Sequence, residues 1–324
     1  MVIDIHIHYC PEKFIKPNLG PNQELVTTFG PAGNVGDTLL SLRYDLEKFI
    51  DMMDCAGVDM ALLTSGAGMR GDIETGRFVN DDMKLVEERY PGRFLGAAHV
   101  PPLGGKESLE ELQRCRDELG YKCAVMHSVV RGTLLDSPDL YPFYEKVEEL
   151  GLFLIVHPGA SEFTLQYDYD IARSVCREGH LAETTVRLIE GGILDRFPQL
   201  KIVMSHLGGH FCACLSRIEC YQDKVFWGTQ DHPRHSKKSK MPFRRYLDKM
   251  YFDTGGIQGS INPIKMALME LSPSNILYGT DYPLEMRDGP SIREFVRNIR
   301  DMPLPQSDID NILGNNARKL LGII

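Results

Sequence analysis

At 324 residues, with 43% hydrophobic and 25% charged residues, the chain has the make-up of a globular protein long enough to bury a sizeable core. Its formal net charge of −9 excludes the broadly basic surface that nucleic-acid binding needs, and no run of about 18 apolar residues suggests a membrane span. The first residues lack the basic, then apolar, then small-residue order of a signal peptide, so a cytoplasmic protein acting on a small molecule is expected.

Read in chain order, short β-branched runs alternate with amphipathic stretches, the pattern of βα units around a parallel sheet. The runs are VIDIHIH (2–8), VDMALLT (58–64), FLGAAHV (94–100), KCAVMH (122–127), LFLIVH (152–157), KIVMSH (201–206), MYFDT (250–254) and ILYGTD (276–281). Eight of them predict an α/β fold, a closed (β/α)8 TIM barrel forming one domain over 1–324, with an open doubly wound sheet as the alternative. Leu46, Phe49, Ile50 and Met53 fall at i, i+3, i+4 and i+7, which predicts a helix with one apolar stripe, ended by Gly57. Ser307-x-x-Asp310 resembles a capping box ahead of a last helix carrying Ile312, Leu313 and Leu320.

Two connections are too long for simple turns. The small insertion after strand 1, residues 9–43, contains LVTTFGP and is expected to form a β-hairpin lid. The long insertion after strand 6, residues 221–249, carries His232, Arg234, His235, Lys237, Lys238, Lys240, Arg244 and Arg245. It reads either as a solvated loop or as an arm that meets an anionic substrate or a neighbouring subunit. The eight cysteines include no C-x-x-C pair and are expected to be thiols, Cys212-x-Cys214 lacking a second pair at zinc-site spacing.

In a barrel the chemistry sits at the C-terminal strand ends, and six of the ten histidines fall at or near them: His6, His8, His99, His127, His157 and His206. A strand sends residues i and i+2 to one face, so His6 and His8 both point into the mouth while Ile5 and Ile7 face the helices. With His157 and Asp281 at the ends of strands 5 and 8, three imidazoles and a carboxylate make a set that suits Zn²⁺ or Mn²⁺. His99 is expected to be a satisfied core imidazole, His127 a substrate contact or a structural residue in equal measure, and His210 a support for His206.

IDIHIH, IVHPG, VMSHLGGH, ILYGTDYP and the terminal NNARKLLGI, with AETT and LIEGGILDRFPQLKIV between strands 5 and 6, resemble the amidohydrolase superfamily. The resemblance is to the branch that contains 2-amino-3-carboxymuconate-6-semialdehyde decarboxylase, and it runs nearly the full chain. It implies that His6, His8, His157 and Asp281 hold the metal, that His206 is the catalytic acid/base with Asp281 as its proton partner, and that Arg43 holds a substrate carboxylate. Members with two metals commonly bridge them through a lysine at the C-terminal end of strand 4. Lys122 lies at the start of that strand, so a single divalent metal is expected, zinc first and Mn²⁺ or Fe²⁺ next. Gly159 stands where the branch's decarboxylase has an aromatic residue, which implies a different substrate pocket.

The expected activity is non-oxidative decarboxylation of a small aromatic or unsaturated carboxylic acid, with Arg43, His127, Arg234 and Arg245 as candidate substrate contacts. Hydrolysis of an amide, ester or lactone, or hydration of a double bond, would use the same site. A metal-binding interaction protein without catalysis is a third reading. The resemblance further implies a homodimer.

Overall fold

The computed structural model describes residues 1–29, 35–159, 170–222 and 238–323. Eight parallel strands lie where the β-branched runs predict them: β1 Ile3–His8, β2 Met60–Thr64, β3 Phe94–Gly96, β4 Cys123–His127, β5 Phe153–His157, β6 Lys201–Met204, β7 Met250–Asp253 and β8 Ile276–Leu277. The ladders run β1 to β2 to β3 and β4 to β5 to β6 to β7 to β8, all parallel. Two bridges close the ring, Ala98 to Ala124 between β3 and β4, and Ile7 to Tyr282 between β1 and the segment after β8. Main-chain bonds reinforce that second seam, from Ile5 N–H to Tyr278 (3.0 Å), Asp281 N–H to His6 (2.8 Å) and His8 N–H to Tyr282 (2.7 Å). The sheet is therefore a (β/α)8 barrel, and the open doubly wound alternative falls.

A longer helix follows each strand among the described residues: α1 Leu46–Ala56, α2 Ile73–Arg89, α3 Gly105–Asp117, α4 Tyr141–Glu149, α5 Arg177–Glu190, α6 Phe211–Gln222, α7 Ile261–Leu268 and α8 Gly289–Arg300. In α1 the Asp45 carboxylate caps the Lys48 N–H, and Gly57 ends the helix at φ +72°, a left-handed value that glycine adopts without steric cost. Phe49, Met52, Met53 and Ala56 are buried on its inner face, with Leu46 and Ile50 partly covered. Burying a side chain of the Phe49 class contributes roughly 1.5–3 kcal/mol, which fastens the helix to the barrel wall. The expected hairpin is present, Leu25–Phe29 pairing antiparallel with Val35–Leu40.

The interior of the barrel is filled by Ile3, Ile5, Leu62, Cys123, Val125, Phe153, Ile155, Val203 and Leu277. Ala317 and Leu321 of the last helix, Asn316–Leu321, join this cluster beside the N-terminal strand ends. The lower barrel is thus a packed core, and the C-terminal mouth is left for a site.

Two sequence expectations are corrected. Ile5 does not face the helices, because β1 is bulged: between Asp4, paired with Ala61, and Ile7, paired with Leu63, two residues oppose one. The extra residue resets the alternation, so Ile3 and Ile5 fill the interior below while His6 and His8 line the mouth above. The last helical segment is not opened by a Ser307 capping box either. It runs Gln306–Asp310 from Pro305, whose carbonyl accepts the Asp308 and Ile309 N–H groups, and Ser307 already lies inside the turn.

Candidate metal centre

The bulge in β1 is pinned by a buried carboxylate. Asp4 Oδ1 accepts the His6 N–H (3.0 Å) and the Thr280 N–H (3.1 Å), and Oδ2 accepts the Thr280 hydroxyl (2.6 Å). One side chain therefore ties the main chain at His6 to the residue before Asp281. Burial raises the Asp4 carboxyl to about 7 despite these donors. His157 ends β5, and Asp281 follows β8 at φ +58°, a backbone region uncommon outside glycine and asparagine.

These elements bring His6, His8, His157 and Asp281 together, fully buried, with one donor atom from each lying within 4.8 Å of the others. His8 Nε2 is 2.6 Å and His6 Nε2 3.6 Å from Asp281 Oδ1, and His157 Nε2 is 3.3 Å from His8 Nε2. The far sides of two rings are fixed. His6 Nδ1 donates to Asp253, with both carboxylate oxygens at 3.1 Å, and His157 Nδ1 donates to the Pro158 carbonyl at 3.0 Å. With the hydrogen on Nδ1, Nε2 of each ring presents a lone pair to the centre. His6 Nε2 and Asp281 Oδ1 have no hydrogen-bond partner among the described residues. Buried acceptors facing one another without donors are costly, and a cation with tetrahedral nitrogen and oxygen preference satisfies them together.

Burial drives His8 down to about 4, only partly offset by Asp281, and takes His157 well below the usual imidazole value with His8 and His6 adding to the effect. For Asp281 burial acts upward, yet His8, His206 and His6 hold it well below the carboxylate range. His8 and His157 are thus held neutral beside an ionised carboxylate, the protonation state that binds a metal, whereas at His6 burial is outweighed by Asp253 and Asp281, which raise it.

His206 sits immediately beyond β6, at φ +53°, with its Nε2 3.5 Å from Asp281 Oδ2 and its Nδ1 2.9 Å from Glu178 Oε1. Burial alone would depress it, but the bonds to Asp281 and Glu178 outweigh that and hold it at about 10. Gly256 makes room for the ring: a Cβ there would fall 2.3 Å from His206 Nδ1.

Arg43 is buried, 3.4 Å from the Thr38 carbonyl of the hairpin, and its charge contributes to lowering His8. His127 ends β4 half-buried, its ring centroid 5.6 Å from that of His157. Arg245 is not brought to the site. It is exposed on the short helix Arg244–Leu247 that leads into the N-terminal end of β7, the opposite mouth, because the chain must return there to begin the next parallel strand. Arg234 lies outside the described residues. His99 is a satisfied core imidazole, and His210 is exposed.

Two acidic residues escaped the sequence reading. Asp253 is the last residue of β7, in the run MYFDT, so the strand-end rule used for histidines, applied to carboxylates, finds it. Glu178 is the second residue of a helix, and no motif marks it.

A family model described as amidohydrolase matches residues 3–323. The chain is 28% identical to the 2-amino-3-carboxymuconate-6-semialdehyde decarboxylase of Dictyostelium discoideum, over 78% of this chain and 67% of that protein. It is 26% identical to a gamma-resorcylate decarboxylase from a Rhizobium strain, over 78% and 82% of the two chains. Among solved structures, the 5-carboxyvanillate decarboxylase of Novosphingobium aromaticivorans, complexed with manganese, superposes with a TM-score of 0.80 at 20% identity, covering 100% of this chain and 96% of the other.

Proposed function

The chain belongs to the amidohydrolase family, and on that premise we propose that it is a metal-dependent non-oxidative decarboxylase of a small aromatic or unsaturated carboxylic acid. The observation that carries the reading is the convergence of His6, His8, His157 and Asp281, with His206 Nε2 3.5 Å from the carboxylate. The names of its relatives, decarboxylases of 2-amino-3-carboxymuconate-6-semialdehyde and of gamma-resorcylate, support the reaction class.

In this reading the four residues hold one divalent ion, zinc by donor set, with manganese the ion bound in the 5-carboxyvanillate decarboxylase structure. When bound, that ion supplies Lewis acidity toward substrate oxygens. His206 performs the proton step. As imidazolium it passes the Nε2 proton to the carbon bearing the carboxylate, the carbon–carbon bond breaks with its electron pair staying on that carbon, and carbon dioxide leaves. A proton from solvent then restores the imidazolium. Asp281 faces Nε2 and steadies that charge, and Arg43 pairs with an anionic group of the substrate. The cytoplasmic homodimer that the family resemblance implies belongs to the same reading, and sedimentation of the purified protein tests its oligomeric part.

The test is metal analysis of the protein as purified, followed by incubation with gamma-resorcylate and 5-carboxyvanillate while carbon dioxide is measured. One equivalent of metal and release of carbon dioxide are expected, with release abolished in His206→Asn. Turnover of a related ester, lactone or alkene without carbon dioxide would replace decarboxylation by hydrolysis or hydration at the same residues.

A further inference from the structure

We propose that Glu178 is a positioning residue for His206: its carboxylate fixes the imidazole with the hydrogen on Nδ1 and leaves Nε2 turned to the centre for the proton step. The inference rests on the acid/base reading of His206 given above.

A neutral imidazole carries one donor and one acceptor, and an ionised carboxylate only accepts. Glu178 Oε1 lies 2.9 Å from Nδ1, so Nδ1 must carry the hydrogen, and Nε2, 3.5 Å from Asp281, is the atom that gains and gives the mobile proton. Without Glu178 the ring could place its hydrogen on Nε2 against Asp281, and the nitrogen facing the centre could no longer accept. A carboxylate behind the ring also stabilises the imidazolium that the proton step requires.

The pairing is built into the main chain. His206 begins a run of left-handed residues, with Leu207, Gly208 and Gly209 also at positive φ. At Gly209 a Cβ would fall 2.0 Å from the Glu178 carbonyl oxygen, so the turn after β6 seats directly on the start of α5. That contact fixes the start of α5 against the turn, and from there the Glu178 side chain reaches the ring. The other end of Glu178 is held too. Arg177 Nε donates to the same Oε1 (3.2 Å), Arg177 Nη2 donates to Glu285 (3.1 Å), and Gln258 Nε2 donates to the second Glu285 oxygen. Glu285 in turn bonds the Asp281 carbonyl through its own N–H (3.0 Å). The residues beyond β7 and β8 and the start of α5 thus converge on the carboxylate behind His206, and the belt returns to the main chain of Asp281.

The test has two arms. In metal-loaded protein labelled with ¹⁵N-histidine, the His206 ring signals, identified by their loss in His206→Asn, are expected to show a protonated, deshielded Nδ1. That proton should move upfield in Glu178→Gln and disappear in Glu178→Leu. In turnover of gamma-resorcylate or 5-carboxyvanillate, Glu178→Leu is expected to lower kcat about 100-fold with KM changed less than about twofold, the scale of a lost general acid–base contribution, with partial rescue by Glu178→Asp. Unchanged His206 signals in Glu178→Leu overturn the proposal, as does a Glu178→Leu loss confined to KM with kcat unchanged. If His206→Asn is itself fully active, the acid/base reading falls. If His206→Asn is inactive while Glu178→Leu behaves as wild type, only the role of Glu178 falls.

Discussion

His99 and His8 are both buried at the C-terminal mouth of the barrel, and burial depresses both imidazoles to about 4. Their surroundings differ in one respect. His99 Nδ1 donates to the Ala97 carbonyl (2.8 Å) and Nε2 accepts the Ser65 N–H (2.9 Å), so both ring nitrogens are satisfied. Asn80 then spans its main chain, accepting the His99 N–H (2.8 Å) and donating to the His99 carbonyl (3.1 Å), while its other amide hydrogen goes to Glu111 (2.8 Å). His8 turns Nε2 toward His157 Nε2 and Asp281, and its Nδ1 finds no partner among the described residues. Burial and a depressed pKa therefore do not separate a structural imidazole from a reactive one. The accounting of ring nitrogens does: where each has a hydrogen-bond partner the residue builds the wall, and where lone pairs face one another it awaits a cation.

The comparison breaks most sharply on metal content. His157→Ala leaves the centre three donors and is expected to reduce metal retention and carbon dioxide release by at least about a thousandfold, as does dialysis against a chelator until the metal is returned. Elemental analysis and turnover of the same samples check this. A His157→Ala protein that keeps a full equivalent of metal would dissolve the distinction drawn between the two histidine sites. Asp253→Asn asks a finer question, since it leaves every proposed ligand in place and weakens the acceptor behind His6 Nδ1, which also takes the His206 N–H (3.1 Å) and the Gly255 N–H (2.8 Å). Metal affinity is expected to fall about 10–100-fold, measured by competition with a chromogenic chelator.

The same accounting explains what the sequence could and could not reveal. Eight strands were legible because a buried parallel strand is a short β-branched run, and the seats of His6, His8, His157, His206 and Asp281 follow from the strand-end rule. The bulge at Ile5 and His6 was not, because a period of two presumes an unbroken ladder, and one inserted residue leaves no mark on composition. Glu178 was invisible for another reason. Its partnership with His206 is made by a turn seating on a helix 28 positions earlier in the chain, and spacing rules reach only neighbours on one element. Arg245 failed because a basic residue near strand 7 could belong to either mouth, and only the path of the chain decides which.

On the wall side, His99→Leu removes the acceptor for the Ser65 N–H and leaves that buried donor unmet, at a cost of about 1–3 kcal/mol in unfolding free energy. Metal content is expected to stay at the wild-type level. Denaturant unfolding together with metal analysis reads both, and a loss of metal from this variant would mean that the two sites are not separable.

The smallest effect is a slope with pH. The unfolded His99 takes up a proton near the ordinary imidazole value of 6.5, whereas the folded one refuses it until about 4, so within that window the unfolded chain binds more protons. Stability then rises with pH across the window and falls as the solution is acidified, the loss growing from 6.5 downward and levelling off near 4. Between pH 7.5 and 5.5 this single group contributes about 1 kcal/mol of the decline. Other buried imidazoles, His8 and His157 among them, add slopes of the same sign, so the wild-type curve alone does not isolate it. The difference between wild type and His99→Leu does: the gap between the two unfolding free energies should narrow by about 1 kcal/mol on going from pH 7.5 to 5.5. A gap that is constant with pH would show that His99 is not held neutral by its burial, and would remove the contrast with the centre at its root.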